Sequence, residues 1–167
     1  TGSPFLDIRL PCGGAIDVVI VPNVAPDTIS RIYERLDNRE TVRFALLATG
    51  DIQFNVAPGE APLFQTAYKP KLSLRIAGRG ADCLALARLA SASGFALSLQ
   101  LPDEADVEAV RSAGIGRAER LTTPCSLAPV LDDASTAFVL MFHDVHWETA
   151  LLKQALDGPA FFIGAVG

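Results

Sequence analysis

Apolar and polar positions alternate differently before and after residue 70, and this difference divides the sequence into two parts. The first part contains two β-branched apolar runs, two segments in which apolar residues recur at every second position, and one stretch with helical spacing. The pattern predicts strands over residues 5–10, 16–21, 42–46, 52–56 and 63–67. It also predicts a helix of about three turns, with Pro26 at its start and apolar residues at helical spacing from Ile29 to Leu36. A turn at Thr49-Gly50-Asp51 makes two of these strands a β-hairpin. Residues 1–68 are therefore predicted to form a small mixed α+β domain.

After residue 70, apolar runs alternate with amphipathic stretches in the order strand, helix, strand, which builds parallel sheets. The predicted strands cover residues 72–77, 95–101, 117–121, 136–142 and 160–163, and the predicted helices cover residues 81–93, 103–113 and 145–157. The predicted fold class is therefore α/β: a Rossmann-like parallel sheet domain over residues 69–167, preceded by the smaller mixed α+β domain.

Composition limits the classes of protein to which the chain can belong. Half of the 167 residues are apolar, 20% are charged and the formal net charge is −5, which supports a compact core and provides no cationic surplus for nucleic acid. No apolar stretch approaches the roughly 20 residues that a membrane-spanning helix needs, which predicts a soluble protein without a membrane partner. Three widely spaced cysteines fit reduced thiols in the cytoplasm. The apolar, low-charge composition is also compatible with a homodimer.

A glycine-rich turn, Gly78-Arg79-Gly80, follows the first strand of the predicted parallel sheet and opens the next helix. Glycines at such a turn let a phosphate approach the backbone N–H groups of the helix N-terminus. The same glycines could instead serve only the shape of the turn, and Arg79 could pair with a phosphate or with Asp82. The dinucleotide fingerprint is incomplete, because the next strand ends in Leu101-Pro102 without an acid for the ribose. An NAD(P)-dependent oxidoreductase is therefore kept as the alternative function.

Both histidines of the chain lie in His143-Asp144-Val145-His146, where the strand beginning at Thr136 ends. This position is the carboxyl edge of the sheet, on which open α/β sheets bind ligands. The two histidines and Asp144 could contribute to a metal site, but a structural zinc site usually takes four ligands. The alternative is that Asp144 caps the following helix while His143 forms local hydrogen bonds.

The three cysteines differ in their sequence surroundings. Cys12 lies between Pro11 and Gly13-Gly14, so its thiol is expected on a turn with little side-chain cover. It is the best candidate for a reactive sulfur. Cys83 lies among Ala and Leu, and Cys125 follows Pro124, so both are expected to be small buried hydrophobic residues.

Three segments occur along the chain in this order: Asp7-Ile8-Arg9-Leu10-Pro11-Cys12-Gly13-Gly14, then Ala77-Gly78-Arg79-Gly80-Ala81, then Phe142-His143-Asp144-Val145-His146-Trp147-Glu148 running on to Phe161-Phe162-Ile163-Gly164-Ala165-Val166-Gly167. Together they resemble the XdhC/CoxI family, the accessory proteins of xanthine dehydrogenase and related molybdenum hydroxylases. The resemblance covers nearly the whole chain and implies further segments beyond both of its ends.

The resemblance implies a cofactor chaperone rather than a turnover enzyme. Such a protein holds molybdenum cofactor, protects it, and supports its sulfuration with help from a cysteine desulfurase. It then delivers the cofactor to the apo-form of xanthine dehydrogenase or a related molybdenum hydroxylase. A further alternative is a scaffold whose Rossmann-like part is only a docking surface for the hydroxylase.

These observations lead to one hypothesis about the site, a cleft between the Cys12 turn and the carboxyl edge of the parallel sheet that binds molybdenum cofactor. Cys12 is predicted to contact the metal or its sulfur, because soft metals favour thiolates. The Gly78-Arg79-Gly80 turn is predicted to receive the phosphate of the pterin. The remaining predicted cofactor-binding residues are Gly13, Gly14, His143, Asp144, Gly164 and Gly167.

Overall fold

The computed structural model describes residues 18–54 and 61–166. Within these residues the helices are α1 (Pro26–Asp37), α2 (Gly80–Ala92), α3 (Glu104–Ser112) and α4 (Val145–Leu156). The strands are β1 (Val42–Leu46), β2 (Ile52–Phe54), β3 (Phe64–Tyr68), β4 (Ser73–Gly78), β5 (Ala96–Leu101), β6 (Arg117–Arg120), β7 (Thr136–Met141) and β8 (Phe162–Ala165). None of the helices in the described ranges combines the length and the apolar character needed to cross a membrane.

The first sheet has three antiparallel strands in the order β2-β1-β3. The predicted hairpin is confirmed, with Phe44 opposite Phe54 and Leu46 opposite Ile52. The third strand, predicted over residues 63–67, forms one residue later, and the stacked rings of Phe44 and Tyr68 join it to β1. Helix α1 buries none of its residues and contacts the sheet through its surface, with the Arg31 guanidinium 4.7 Å from the centre of the Phe54 ring.

One predicted strand of the first part is wrong where it can be checked. Residues 18–21, the described part of the strand predicted over residues 16–21, are not in a strand. Val18 and Ile20 expose 73% and 81% of their surface. Their apolar side chains are therefore not buried, and burial is what would stabilise a strand here. The strand predicted over residues 5–10 lies outside the described residues. The division of the chain into domains at residue 68 stays a prediction.

The second sheet has five parallel strands in the order β6-β5-β4-β7-β8. Helices connect β4 to β5, β5 to β6 and β7 to β8, so the Rossmann-like α/β prediction is confirmed. On one face, α4 places Trp147, Leu151 and Ala155 at intervals of four residues against the sheet. On this face β7 and the residue after it contribute fully buried side chains, Phe138, Leu140 and Phe142.

Helices α2 and α3 cover the opposite face of the parallel sheet. Small side chains of α2, including Cys83 and Ala87, are fully buried against β4 and β5, which lets the helix pack closely. Burial, with a smaller contribution from the Asp106 carboxylate, raises the pKa of the Cys83 thiol to about 11, so this cysteine is an unreactive core residue. Cys125 was expected to be buried as well, and this is wrong: it is exposed on a turn between β6 and β7.

A loop, residues 121–135, crosses the α4 face between β6 and β7 without forming a helix. A buried ion pair anchors it, because Asp132 accepts hydrogen bonds of 2.8–3.0 Å from Nε and Nη2 of Arg75 in the central strand β4. The Arg75 and Asp132 side chains are only 3% and 4% exposed. Gln100 accepts a further bond from Arg75 Nη1, and the Phe138 ring lies 3.8 Å from the guanidinium carbon. These contacts satisfy a charge that would be costly if buried alone.

The next residue of the loop, Asp133, ties the first part of the chain to the parallel sheet. Its carboxylate accepts bonds of 2.7 and 3.1 Å from Nε and Nη2 of Arg39, and Arg39 also donates to the carbonyl oxygen of Lys71. Burial alone would raise the pKa of Asp133, but hydrogen bonds, first among them that from Arg39, hold it below its usual value. Lys71 and Asp133 precede β4 and β7, so this tie lies at the amino edge of the parallel sheet.

Candidate functional site

The order of the parallel strands creates a crevice at the carboxyl edge of the sheet. From β4 the chain passes to β5 on one side, while β7 lies on the other side, so the β4–α2 and β7–α4 loops diverge. Such a reversal of strand order is where open α/β sheets bind ligands. A cleft of about 180 Å³ is present there, and its lining residues are Arg79, Gly80, Ala81, Asp82, Met141, His143 and Val166.

Gly78 lets the two loops begin close together. A Cβ atom at this position would lie 2.7 Å from the carbonyl oxygen and 2.8 Å from the Cβ of Met141, its partner in β7. Both are atoms that only a backbone shift could move. The adjoining Arg79 N–H donates to the same Met141 carbonyl oxygen at 3.4 Å. Gly78 therefore sets the close spacing of β4 and β7 below the cleft.

Gly80 is required for its backbone conformation rather than for space. Its φ is +83°, in the left-handed region that favours glycine, and a Cβ built on it would meet no atom within 4 Å. Helix α2 begins here, and no side chain among the described residues caps its first N–H groups. The turn therefore presents backbone donors and the positive end of a helix dipole to the cleft.

Arg79 provides the cation of the cleft. Its guanidinium carbon lies 5.3 Å from the centre of the Phe142 ring, and Nη2 lies 3.8 Å from Oδ2 of Asp144. The Arg79 side chain is 49% exposed, so an anion can reach it from solvent. The sequence suggested Asp82 as a partner for Arg79. Asp82 lines the cleft, but in the described residues the carboxylate within 4.0 Å of Arg79 is that of Asp144.

Asp144 caps α4, as one of the two sequence interpretations predicted. Its Oδ1 accepts from the backbone N–H groups of His146 at 3.0 Å and Trp147 at 3.4 Å, and Glu148 accepts the N–H of Asp144 in return. His143 lines the cleft, whereas His146 is exposed on α4. Within residues 18–54 and 61–166, no group of three His, Cys, Asp or Glu side chains is placed to hold a metal ion.

The other predicted site residues are distributed unevenly. Gly164 lies in β8 opposite Val139, where a Cβ would meet only the flexible Phe162 ring, and it does not line the cleft. Val166 does line it and is held there by a hydrogen bond from its N–H to the carbonyl oxygen of Leu140. Four predicted residues lie outside the described residues: Cys12, Gly13, Gly14 and Gly167. The convergence of the Cys12 turn on this cleft stays a prediction.

Sequence reasoning missed four residues that line the cleft. Asp82 was considered only as a partner for Arg79, and Ala81, Met141 and Val166 were not predicted as site residues. Met141 ends β7 and Val166 follows β8 directly, so both stand at the carboxyl edge. The signal that could have found them is the rule that residues at the ends of the strands beside a strand-order reversal line the crevice.

The cleft is large enough to hold one end of a ligand, such as a phosphate group, but too small to enclose a whole ligand. Pockets that bury a whole ligand usually enclose roughly 300–1,000 Å³, and this cleft encloses about 180 Å³. A backbone cradle with one arginine suits a phosphate group, and the remaining volume admits the adjoining part of a ring system. The end of β5 offers buried Leu101 and then Pro102 where a ribose-binding acid stands in dinucleotide-binding proteins.

These features define the chain as a Rossmann-type α/β protein with a small anion-compatible cleft at the point where its strand order reverses. The family model described as the XdhC Rossmann domain matches residues 74–167, more than half of the chain. The chain therefore belongs to the XdhC family.

Two known proteins show this relationship at different levels. The molybdenum cofactor insertion chaperone PaoD of Escherichia coli is 27% identical over 173 aligned residues, covering 99% of this chain and 47% of PaoD. A crystal structure described as a xanthine dehydrogenase from Bacillus halodurans matches with a TM-score of 0.68 and 21% identity, covering 84% of this chain and 52% of that one. The second likeness concerns the fold alone. The chain spans about half the length of both proteins.

Proposed function

We propose that this protein binds molybdenum cofactor at the cleft and supports its insertion into a molybdenum hydroxylase of the xanthine dehydrogenase type, without turning over a substrate of its own. The observation that carries the proposal is the cleft itself, where Arg79 and the start of α2 face one small space. The similarity to PaoD, a molybdenum cofactor insertion chaperone, supports the choice of cargo.

The phosphate end of the cofactor accounts for the chemistry of the described residues. A pterin that carries a phosphate group places a compact anion at one end, and the N–H groups at the start of α2 are suited to bind such an anion. Arg79 adds a charged donor on the open side of the cleft. Met141, His143 and Val166 then border the neighbouring part of the ring system.

Cys12 belongs to the same proposal on the basis of its sequence context. A thiolate on a glycine-rich turn is a suitable soft ligand for molybdenum or for the sulfur that the active cofactor carries. Sulfuration with a cysteine desulfurase as a partner follows from the family resemblance of this segment. Replacing Cys12 with alanine tests this part separately, through the molybdenum and sulfur content of the purified complex.

One observation weighs against the alternative of an NAD(P)-dependent oxidoreductase. The end of β5 offers Leu101 and Pro102 where an acid would hold a ribose. A titration with NAD(P)H, run beside the titration with molybdenum cofactor, tests this alternative. Tight NAD(P)H binding with hydride transfer would favour the oxidoreductase.

A matched pair of glycine substitutions tests the phosphate cradle. Gly80 and Gly94 both have positive φ, +83° and +86°, and a Cβ on either meets nothing within 4 Å. Alanine at each should therefore lower the free energy of unfolding by a similar amount, about 1–2 kcal/mol. Only Gly80→Ala changes the backbone at the cleft and so redirects the N–H groups that would bind the phosphate. We therefore expect about tenfold weaker binding of molybdenum cofactor for this variant alone.

The measurement is an anaerobic titration with molybdenum cofactor released from a purified molybdenum enzyme, alongside urea unfolding of each variant. Gly94 lies in the turn between α2 and β5, at the amino edge of the sheet and therefore opposite the cleft, so Gly94→Ala controls for the loss of stability. Equal affinities for the two variants would place the phosphate elsewhere and contradict the proposal.

A further inference from the structure

Asp144 contacts two different parts of the cleft region with its two carboxylate oxygens. Oδ1 accepts the capping hydrogen bonds at the start of α4. Oδ2 lies 3.8 Å from Nη2 of Arg79, which belongs to the other loop of the crevice. One side chain therefore both fixes the β7–α4 loop and faces the cation of the β4–α2 loop.

The contact between the two charged groups is loose. Hydrogen-bonded ion pairs usually have nitrogen–oxygen distances of about 2.7–2.9 Å, and this pair is about an ångström longer. Both side chains are partly exposed, at 49% for Arg79 and 38% for Asp144, so water screens their attraction. The Phe142 ring beneath the guanidinium is itself fixed by stacking on Trp147 at 5.6 Å. Arg79 is thus supported on a rigid ring but held only weakly by its counter-ion.

A phosphate that binds at the start of α2 needs the guanidinium of Arg79 and meets the negative charge of Asp144 nearby. We propose that Asp144 is the counter-ion that an incoming phosphate must displace from Arg79, so that Asp144 weakens retention of the bound phosphate and favours its release. This role rests on the proposed function, because it concerns the same cleft and the same cargo. A carrier that delivers its cargo needs an affinity low enough for transfer, and a competing carboxylate provides it.

The variant Asp144→Asn separates the charge from the cap. Asparagine caps helices about as well as aspartate, so the Oδ1 contacts and the thermal unfolding midpoint should be retained. Loss of the competing charge should tighten binding of a pterin that carries a phosphate monoester by about threefold to fivefold. Binding of the same pterin without its phosphate should not change. Both affinities are measured by titration of pterin fluorescence.

Repeating the Asp144→Asn substitution in a protein that lacks the Arg79 side chain shows whether Asp144 acts through Arg79. In the Arg79→Ala protein, Asp144→Asn should change the affinity for the phosphorylated pterin by less than about twofold, because the group it competes for is absent. Asp82 is the matched control, since its carboxylate lines the same cleft but does not lie within 4.0 Å of Arg79 among the described residues. Any effect of Asp82→Asn should have the same size with and without Arg79.

The possible results separate this role from the function on which it rests. Unchanged affinity in Asp144→Asn, or an equal gain in both backgrounds, would overturn the counter-ion role while leaving the cleft as the phosphate site. If the unaltered protein binds neither the phosphorylated pterin nor molybdenum cofactor, the proposed function fails and the counter-ion role fails with it.

Discussion

Replacing Asp132 with alanine is expected to lower the free energy of unfolding by about 3–5 kcal/mol, because it leaves a buried charge without its partner. The Arg75 guanidinium lies in the central strand, with its side chain 3% exposed, and Asp132 accepts three of its four side-chain hydrogen bonds. The substitution also releases the loop that covers the α4 face of the sheet. Urea unfolding followed by circular dichroism measures the change.

An exposed ion pair provides the control for this prediction. Arg120 and Glu104 lie 3.4 Å apart with side chains 55% and 59% exposed, so Arg120→Ala should cost less than about 1 kcal/mol. If Asp132→Ala does not fold, Asp132→Asn offers a milder change that keeps an acceptor for Arg75. Costs no larger than that of Arg120→Ala for both Asp132 variants would show that the buried pair does not stabilise the fold.

The second large effect is expected from Gly78→Ala, which should destabilise the protein by about 1–3 kcal/mol through overpacking. The added methyl group would lie 2.7 Å from the Met141 carbonyl oxygen, so β4 and β7 must separate. These strands carry the two loops of the cleft, and we therefore expect the variant to lose most of its affinity for molybdenum cofactor as well. The affinity is measured by the titration used for Gly80.

Gly116→Ala is the matched control, because it overpacks the same sheet away from the cleft. A Cβ at Gly116 would lie 2.6 Å from the Cβ and 2.8 Å from the carbonyl oxygen of Leu97, just before β6 begins. This variant should lose comparable stability and keep its affinity for the cofactor. Normal cofactor binding by Gly78→Ala would contradict the role assigned to the spacing of β4 and β7.

The parallel sheet could be predicted from the sequence because its signals are local. Helices α2, α3 and α4 and strands β4 to β7 lie within one residue of their predicted bounds at every end. Most of these elements are bounded by a glycine or proline in the sequence, which fixes where they begin or end. Strand β8 begins two residues later than predicted, at Phe162. Its start depends on pairing with β7, in which Ala137 faces Phe162, and no local pattern specifies that register.

Contacts between distant residues could not be predicted in the same way. The Arg75–Asp132 and Arg39–Asp133 bonds join residues 57 and 94 positions apart. Nothing near Arg75 in the sequence indicates that its charge is buried, because its partner arrives on a loop without regular structure. The exposure of Cys125 was missed for the same reason, since it lies on that loop.

The candidate site was predicted in part. Gly78, Arg79, Gly80 and His143 were chosen because each follows a strand at the carboxyl edge, and the structure brings the last three into one cleft above the first. The loose pairing of Arg79 with Asp144 was not predicted, because it depends on the distance between two loops. The convergence of the Cys12 turn on the cleft is still a prediction. The described contact between the first part of the chain and the parallel sheet, the Arg39–Asp133 ion pair, lies at the opposite edge of the sheet.

Hydrogen exchange with and without bound molybdenum cofactor tests the central claim most directly. The N–H groups of residues 80–82 begin α2 without a side-chain cap, so they should exchange quickly in the free protein. Stoichiometric cofactor should slow exchange in peptides covering residues 76–83 and 141–146, while peptides of α3 remain unchanged. Stoichiometric binding that protects other peptides and leaves residues 76–83 unprotected would contradict the placement of the phosphate in this cleft.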